Sequence, residues 1–266
     1  MGEYVELPGV KTWHEVEGKG DPLLLLHGGF CTNETRGPQR RDFAAAYRVF
    51  LPDRRAHEHT PDVEGPLSYG DMAKETVEFL TSVVREPAHV VGWSDGGIVG
   101  LLATIARPEL VRKLVVVGAN FEPALHVTPG ADSMLEGLTP DSPDLAMFRA
   151  QYEAASPDGP EHWPVVVAKF VDMARGNEPN IPAGELGRIS APTLVMVGDD
   201  DLPSLEHTIS LYRAIPNSEL AVVPGTSHAL PMEKPSWVNQ LVLDFLLNEP
   251  VATFMPIRRA TPAPVS

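Results

Sequence analysis

Residues 88–97 read Ala88-His89-Val90-Val91-Gly92-Trp93-Ser94-Asp95-Gly96-Gly97, and the fold turns on them. A short apolar, strand-like run ends in the pattern G-x-S-x-G. The stretch that follows, residues 97–106, has a helical composition. A strand that turns into a helix within a few residues crowds its own backbone, so glycines flank the serine. The strained corner lifts the Ser94 hydroxyl to the top of a sheet as a nucleophile elbow. Small residues make this pattern by chance in many chains. The strand before it and the helix after it give it weight here.

Outward from the elbow, short apolar runs alternate with helix-like segments. Strands are expected at 12–16, 23–27, 47–51, 89–92, 114–117, 193–197 and 220–223. Several are apolar throughout, as strands covered on both faces of a parallel sheet must be. Helices are expected at 69–84, 96–106, 204–214 and 235–247, the last with Pro235 in its first turn. The alternation predicts an α/β architecture: a mostly parallel central sheet with helices on both faces. Residues 122–188 break the rhythm, with many prolines and no convincing strand. They hold eleven acidic against four basic residues, about half of the chain's net charge of -15. A segment of that length between core strands reads as a helical cap over a site. The expected division is core 1–121, cap 122–188, core 189–250 and a tail 251–266.

A chain of 266 residues with 43% hydrophobic content can bury one large core. A charge of -15 disfavours nucleic acid and anionic membranes as partners. The apolar runs are too short to span a bilayer, and the N-terminal residues lack a secretory signal pattern, so a cytoplasmic location is expected. The single cysteine, Cys31, allows no internal disulfide and reads as a buried small hydrophobe.

A serine hydroxyl is a weak nucleophile until a base takes its proton, and the base needs a carboxylate to fix its tautomer. Two downstream loops supply candidates, both just past expected strands, where open α/β sheets place their ligands. One reads Gly198-Asp199-Asp200-Asp201, the other Pro224-Gly225-Thr226-Ser227-His228. The oxyanion of a tetrahedral intermediate needs backbone N–H donors. Asp95, next after the nucleophile, supplies one. Gly29, in the loop His27-Gly28-Gly29-Phe30 after an early strand, supplies the other. Phe30 and Trp93 join Asp95 as expected substrate contacts, and His27 is expected to hold the oxyanion loop. Asp95 has a second reading, as a carboxylate suited to a helix N-terminus. His57, Glu58 and His59 make a poor metal-ligand set as neighbours on one loop, so no metal is expected.

These motifs, taken together, resemble those of α/β-hydrolase-fold serine hydrolases over nearly the full chain. The resemblance implies the chain order nucleophile, acid, histidine, which Ser94, Asp201 and His228 satisfy. It implies an acid three residues after Gly198, which selects Asp201 ahead of Asp200 and Asp199. The elbow Gly92-Trp93-Ser94-Asp95-Gly96-Gly97-Ile98 and the stretch Val117-Gly118-Ala119-Asn120 are similar to the valacyclovir hydrolase (biphenyl hydrolase-like) group. In that group the residue after the nucleophile holds a substrate α-amino group, a role the resemblance gives to Asp95. Implied is a cofactor-free hydrolysis of a small carboxylic ester. The same triad also serves amides, lactones, thioesters and C–C bonds, and a slow-turnover binding homologue is the rival from another class. One departure bears on the pocket. The family loop Asp-x-Arg-Gly-x-Gly-x-Ser reads here Asp53-Arg54-Arg55-Ala56-His57-Glu58-His59-Thr60, with both glycines replaced.

Overall fold

The computed structural model describes residues 2–249 apart from Asn33 and Pro129, together with Phe254 and Met255. Those two residues apart, the expected tail 251–266 lies outside the described residues. Eight strands form one sheet: β1 (Glu3–Leu7), β2 (Val10–Gly18), β3 (Pro22–Leu26), β4 (Arg48–Pro52), β5 (Ala88–Trp93), β6 (Val111–Val117), β7 (Thr193–Asp200) and β8 (Ser218–Ser227). Their order is β1-β2-β4-β3-β5-β6-β7-β8. β1 and β2, and β2 and β4, pair antiparallel; every other pair is parallel. The mostly parallel sheet is therefore as expected, with one strand more than the apolar runs marked. That extra strand, β1, is a mostly exposed edge.

The helices are α1 (Gly37–Ala44), α2 (Tyr69–Phe79), α3 (Asp95–Ala106), α4 (Ala124–Val127), α5 (Ala131–Gly137), α6 (Ala146–Ala155), α7 (Trp163–Arg175), α8 (Ala183–Leu186), α9 (Leu205–Ala214), α10 (Leu230–Glu233) and α11 (Pro235–Leu247). The helix expected to run to Val84 stops being α-helical at Phe79. Its next turn is a wider one, closed by Arg85 N–H donating to the Leu80 carbonyl at 2.8 Å with Arg85 at φ 64°.

Side chains alternate across a strand, and the core divides accordingly. Leu24, Leu26, Val90, Leu114 and Val116 point to a layer with Met72 of α2, Leu101 of α3 and Leu211 of α9. Leu23, Leu25, Val91, Val115 and Val117 point to the opposite layer with Phe43 of α1 and Val238 and Val242 of α11. Burying each such side chain contributes about 1.5–3 kcal/mol, and β3, β5 and β6 draw on both layers. Ser94 and the Gly28-Gly29 loop follow the carboxyl ends of two of these central strands, β5 and β3.

Between β6 and β7 every described element is helical, α4 to α8. Polar clasps tie this stretch to the segment after β4. Asp62 accepts from Lys169 Nζ at 2.6 Å and from His162 Nε2 at 2.9 Å. Glu178 accepts from the Tyr69 N–H at 2.8 Å.

Candidate active site

Ser94 sits between β5 and α3 at φ 54° and ψ -123°, backbone that L-residues rarely adopt. The glycines explain how the turn closes. A Cβ on Gly92 would come 2.2 Å from the Gly96 carbonyl oxygen. A Cβ on Gly96 would come 2.4 Å from the Leu26 oxygen and 2.6 Å from the His27 oxygen. The Ser94 N–H donates to the Val117 carbonyl at 2.8 Å, so the neighbouring strand holds the strained residue in place.

Asp201 and His228 come from the ends of β7 and β8, and the fold brings both to Ser94. His228 Nε2 lies 2.9 Å from Ser94 Oγ, and His228 Nδ1 lies 2.6 Å from Asp201 Oδ1. The Asp201 carboxylate is fully buried. Its Oδ1 also accepts from the Leu202 N–H at 2.7 Å and its Oδ2 from the Gly198 N–H at 3.0 Å. Donors on both of its oxygens hold the carboxylate in one orientation, and as an acceptor it requires the hydrogen of His228 on Nδ1. Nε2 then faces the serine as an acceptor. Asp199 is used otherwise, accepting from the Thr226 N–H at 3.0 Å, and Asp200 is exposed on the β7–β8 pair.

The loop after β3 lies directly against the elbow. A Cβ on Gly28 would stand 3.3 Å from Ser94 Cβ, and one on Gly29 would stand 2.8 Å from Asp95 Oδ2. Residues 28–31 form a turn in which the Cys31 N–H donates to the Gly28 carbonyl at 3.3 Å and Phe30 takes φ 58°. Among the described residues neither the Gly29 nor the Asp95 N–H has an acceptor. Asp95 is the first residue of α3, where an N–H has no partner within the helix. His27 is wholly buried; its Nε2 accepts from the Arg54 N–H at 3.0 Å, so Nδ1 carries the hydrogen and donates to the Gly28 carbonyl at 2.8 Å. Burial and the nearby Arg54 cation hold His27 well below the usual imidazole range, hence neutral. Cys31 is buried as expected, its thiol pushed up to about 12 by burial.

Three expected substrate contacts have distinct surroundings. Asp95 Oδ1 accepts from the Tyr69 hydroxyl at 2.8 Å. Burial and the Asp95 charge keep that hydroxyl protonated, well above the ordinary phenol range. Phe30 packs against Phe170 of α7, ring centroids 4.3 Å apart. Trp93 is buried and its indole N–H donates to the His228 carbonyl at 2.9 Å, so it steadies the histidine loop. Tyr69, Arg54 and Phe170 were not singled out by the sequence motifs, because each reaches the site across a long separation with no local pattern.

The altered loop keeps a glycine-like path. Ala56 and Glu58, which stand where glycines are usual, adopt φ 60° and 42°. Each accepts the strain of a left-handed backbone, of order 1 kcal/mol or more. Among the described residues, Asp53, Glu58 and His59 bring one ligand atom each within 4.8 Å of one another. His59 Nδ1 lies 3.1 Å from Asp53 Oδ2, and that carboxylate raises the His59 pKa, which favours a proton over a metal at that nitrogen.

A serine on a strand–helix elbow, facing a histidine and a buried carboxylate beyond later strands of a mostly parallel sheet, has the architecture of α/β-hydrolase-fold enzymes. Residues 23–241 match the Alpha/beta hydrolase family, and the chain belongs to it as a hydrolase. It is 29% identical to human Serine hydrolase BPHL, a biphenyl hydrolase-like protein, over 91% of this chain and 85% of that protein. It is 27% identical to a putative carbamate hydrolase, RutD, of Azorhizobium caulinodans, over 88% of this chain and 94% of that one. A meta-cleavage product hydrolase from Pseudomonas fluorescens shares the fold at a TM-score of 0.77 and 21% identity, covering 92% of this chain and 97% of the other. No helix among the described residues is long and apolar enough to cross a membrane.

Proposed function

We propose that the chain is a serine hydrolase of carboxylic esters, working through an acyl-enzyme. The observation that carries this reading is the unbroken relay from Ser94 through His228 to Asp201, at 2.9 and 2.6 Å. Ser94 Oγ attacks the acyl carbon as His228 Nε2 takes its proton. Asp201 stabilises the imidazolium. The Gly29 and Asp95 N–H groups receive the oxyanion. His228 returns the proton to the leaving alcohol, and water then releases the acid through the same base. The insert 122–188 roofs the acyl group, with Phe170 and Phe30 as its apolar wall. Asp95 Oδ1 is engaged by Tyr69, so Oδ2, beside Gly29, receives the ammonium of an α-amino ester. Trp93 acts by holding the His228 loop.

The test is a fluorophosphonate probe followed by a panel of p-nitrophenyl and α-amino esters. Ser94 is expected to label, and Ser94→Ala to lose both labelling and turnover. Absence of labelling in folded protein sinks the nucleophile. Esters left intact while carbamates or amides are cleaved moves the reading to another acyl bond, a class that the RutD name brings to mind. Neutral esters matching their α-amino analogues in kcat/KM, or Asp95→Asn leaving that ratio unchanged, removes the amine preference.

A further inference from the structure

Arg54 holds a place that folding alone does not explain. It is about 95% buried, with 5% of its surface exposed, and its Nε and Nη1 have no partner among the described residues. Burial lowers its pKa, and the charge of Asp95 is the main influence opposing that shift. A buried cation with unsatisfied donors destabilises a fold relative to an apolar side chain of the same volume. Its one described side-chain hydrogen bond to a carbonyl runs from Nη2 to Gly28, at 3.1 Å. That carbonyl also receives His27 Nδ1–H and the Cys31 N–H.

The Gly28 carbonyl and the Gly29 N–H belong to one planar trans peptide and point in opposite directions. Three donors on one side fix the carbonyl there and turn the Gly29 N–H the other way, within a loop that packs directly against Ser94 and Asp95. The guanidinium adds positive potential behind the same peptide and polarises it. We propose that Arg54 is a positioning residue that aims and strengthens the Gly29 oxyanion donor, through the Gly28 carbonyl and with no contact to substrate. This rests on the hydrolase reading above, and its test separates the two.

The primary readout is the second-order rate at which a fluorophosphonate labels Ser94, which needs the oxyanion donors but no particular ester. Arg54→Met is expected to slow labelling and ester kcat about tenfold or more, since removing an oxyanion donor outright costs about 10²–10³. KM is expected to stay within about twofold, and the melting temperature to hold or rise. A merely structural role predicts the reverse, a lowered melting temperature with the rate intact once the protein is folded. The same loss is expected in an Asp95→Asn background; its disappearance there would assign the effect to the Asp95 charge and overturn the proposal. Should Arg54→Met not fold, Arg54→Lys carries the test, since it keeps the charge but loses the fork that reaches Gly28. An intermediate slowing supports the proposal, and a wild-type labelling rate overturns it. A wild type that labels while Arg54→Met labels equally fast removes the Arg54 role alone. A folded wild type that never labels removes the nucleophile and this role together.

Discussion

Asp201→Asn is the sharpest single perturbation, because the structure sets both its mechanism and its size. Both carboxylate oxygens accept: Oδ1 from His228 and Leu202, Oδ2 from Gly198. An amide has one acceptor oxygen. With its NH₂ toward Gly198, two donors face each other and the negative charge is gone. With its NH₂ toward His228, the imidazole must carry its hydrogen on Nε2 and can no longer accept from Ser94. Either way the imidazolium loses a buried counter-charge. Centred about 4 Å apart at an effective dielectric near 20, that pair is worth about 4 kcal/mol, or about 10³ in rate. We expect kcat on any p-nitrophenyl ester the wild type hydrolyses to fall about 10³-fold. KM should stay within about threefold, as Asp201 is buried away from substrate. Stopped-flow burst kinetics on wild type, Asp201→Asn and Asp200→Asn read this directly. The reasoning fails if Asp201→Asn stays within tenfold of wild type, or if Asp200→Asn is equally impaired.

Gly96→Ala places a methyl 2.4 Å from a carbonyl of β3, which cannot yield, so at least about 3 kcal/mol of stability is expected to go. A urea melt within 1 kcal/mol of wild type would contradict the close approach. Trp93→Phe removes the donor to the His228 carbonyl, and kcat should drop about fivefold with little change in melting, from a bond worth about 1 kcal/mol. An unchanged kcat would mean the loop is steady without it. His89 is buried and its pKa is lowered to about 4 by burial, then by Arg112 and Lys113. Its folded pKa lies below the unfolded value near 6.5, so the unfolded chain takes the proton first on acidification. Stability is thereby lost as pH falls from about 6.5 toward 4. His89→Leu should flatten that slope by up to one proton, about 1.4 kcal/mol per pH unit, in urea melts across the range. Superimposable slopes would refute it.

What the sequence made legible follows from where partners lie along the chain. β3 and residues 114–117 of β6 are buried on both faces and read as unbroken apolar runs, and β5 is interrupted only by His89. β1 turns inward little beyond Leu7 and reads as polar. α1 is anchored by Gln39, which donates to the Pro231 carbonyl and to Asn239, so no apolar stripe betrays it. At the site, the elbow is a local motif, and Asp201 and His228 follow strands that are themselves visible. Choosing among three aspartates required the resemblance, because spacing cannot say which carboxylate turns inward. Tyr69 meets Asp95 across 26 residues and Arg54 meets Gly28 across 26, with nothing local to mark either.

Phe30 ties two distant parts of the chain into one mechanical circuit. Its left-handed backbone, costing about 1–3 kcal/mol, is held by a ring wedged against Phe170 and lying near Trp163, both on α7. The turn therefore takes its support from α7 as well as from its own Cys31 N–H to Gly28 carbonyl hydrogen bond. The turn beside Ser94 is thus shaped in part by a helix more than a hundred residues away, so the loop after β3 and the helical stretch between β6 and β7 are set by one shared aromatic joint.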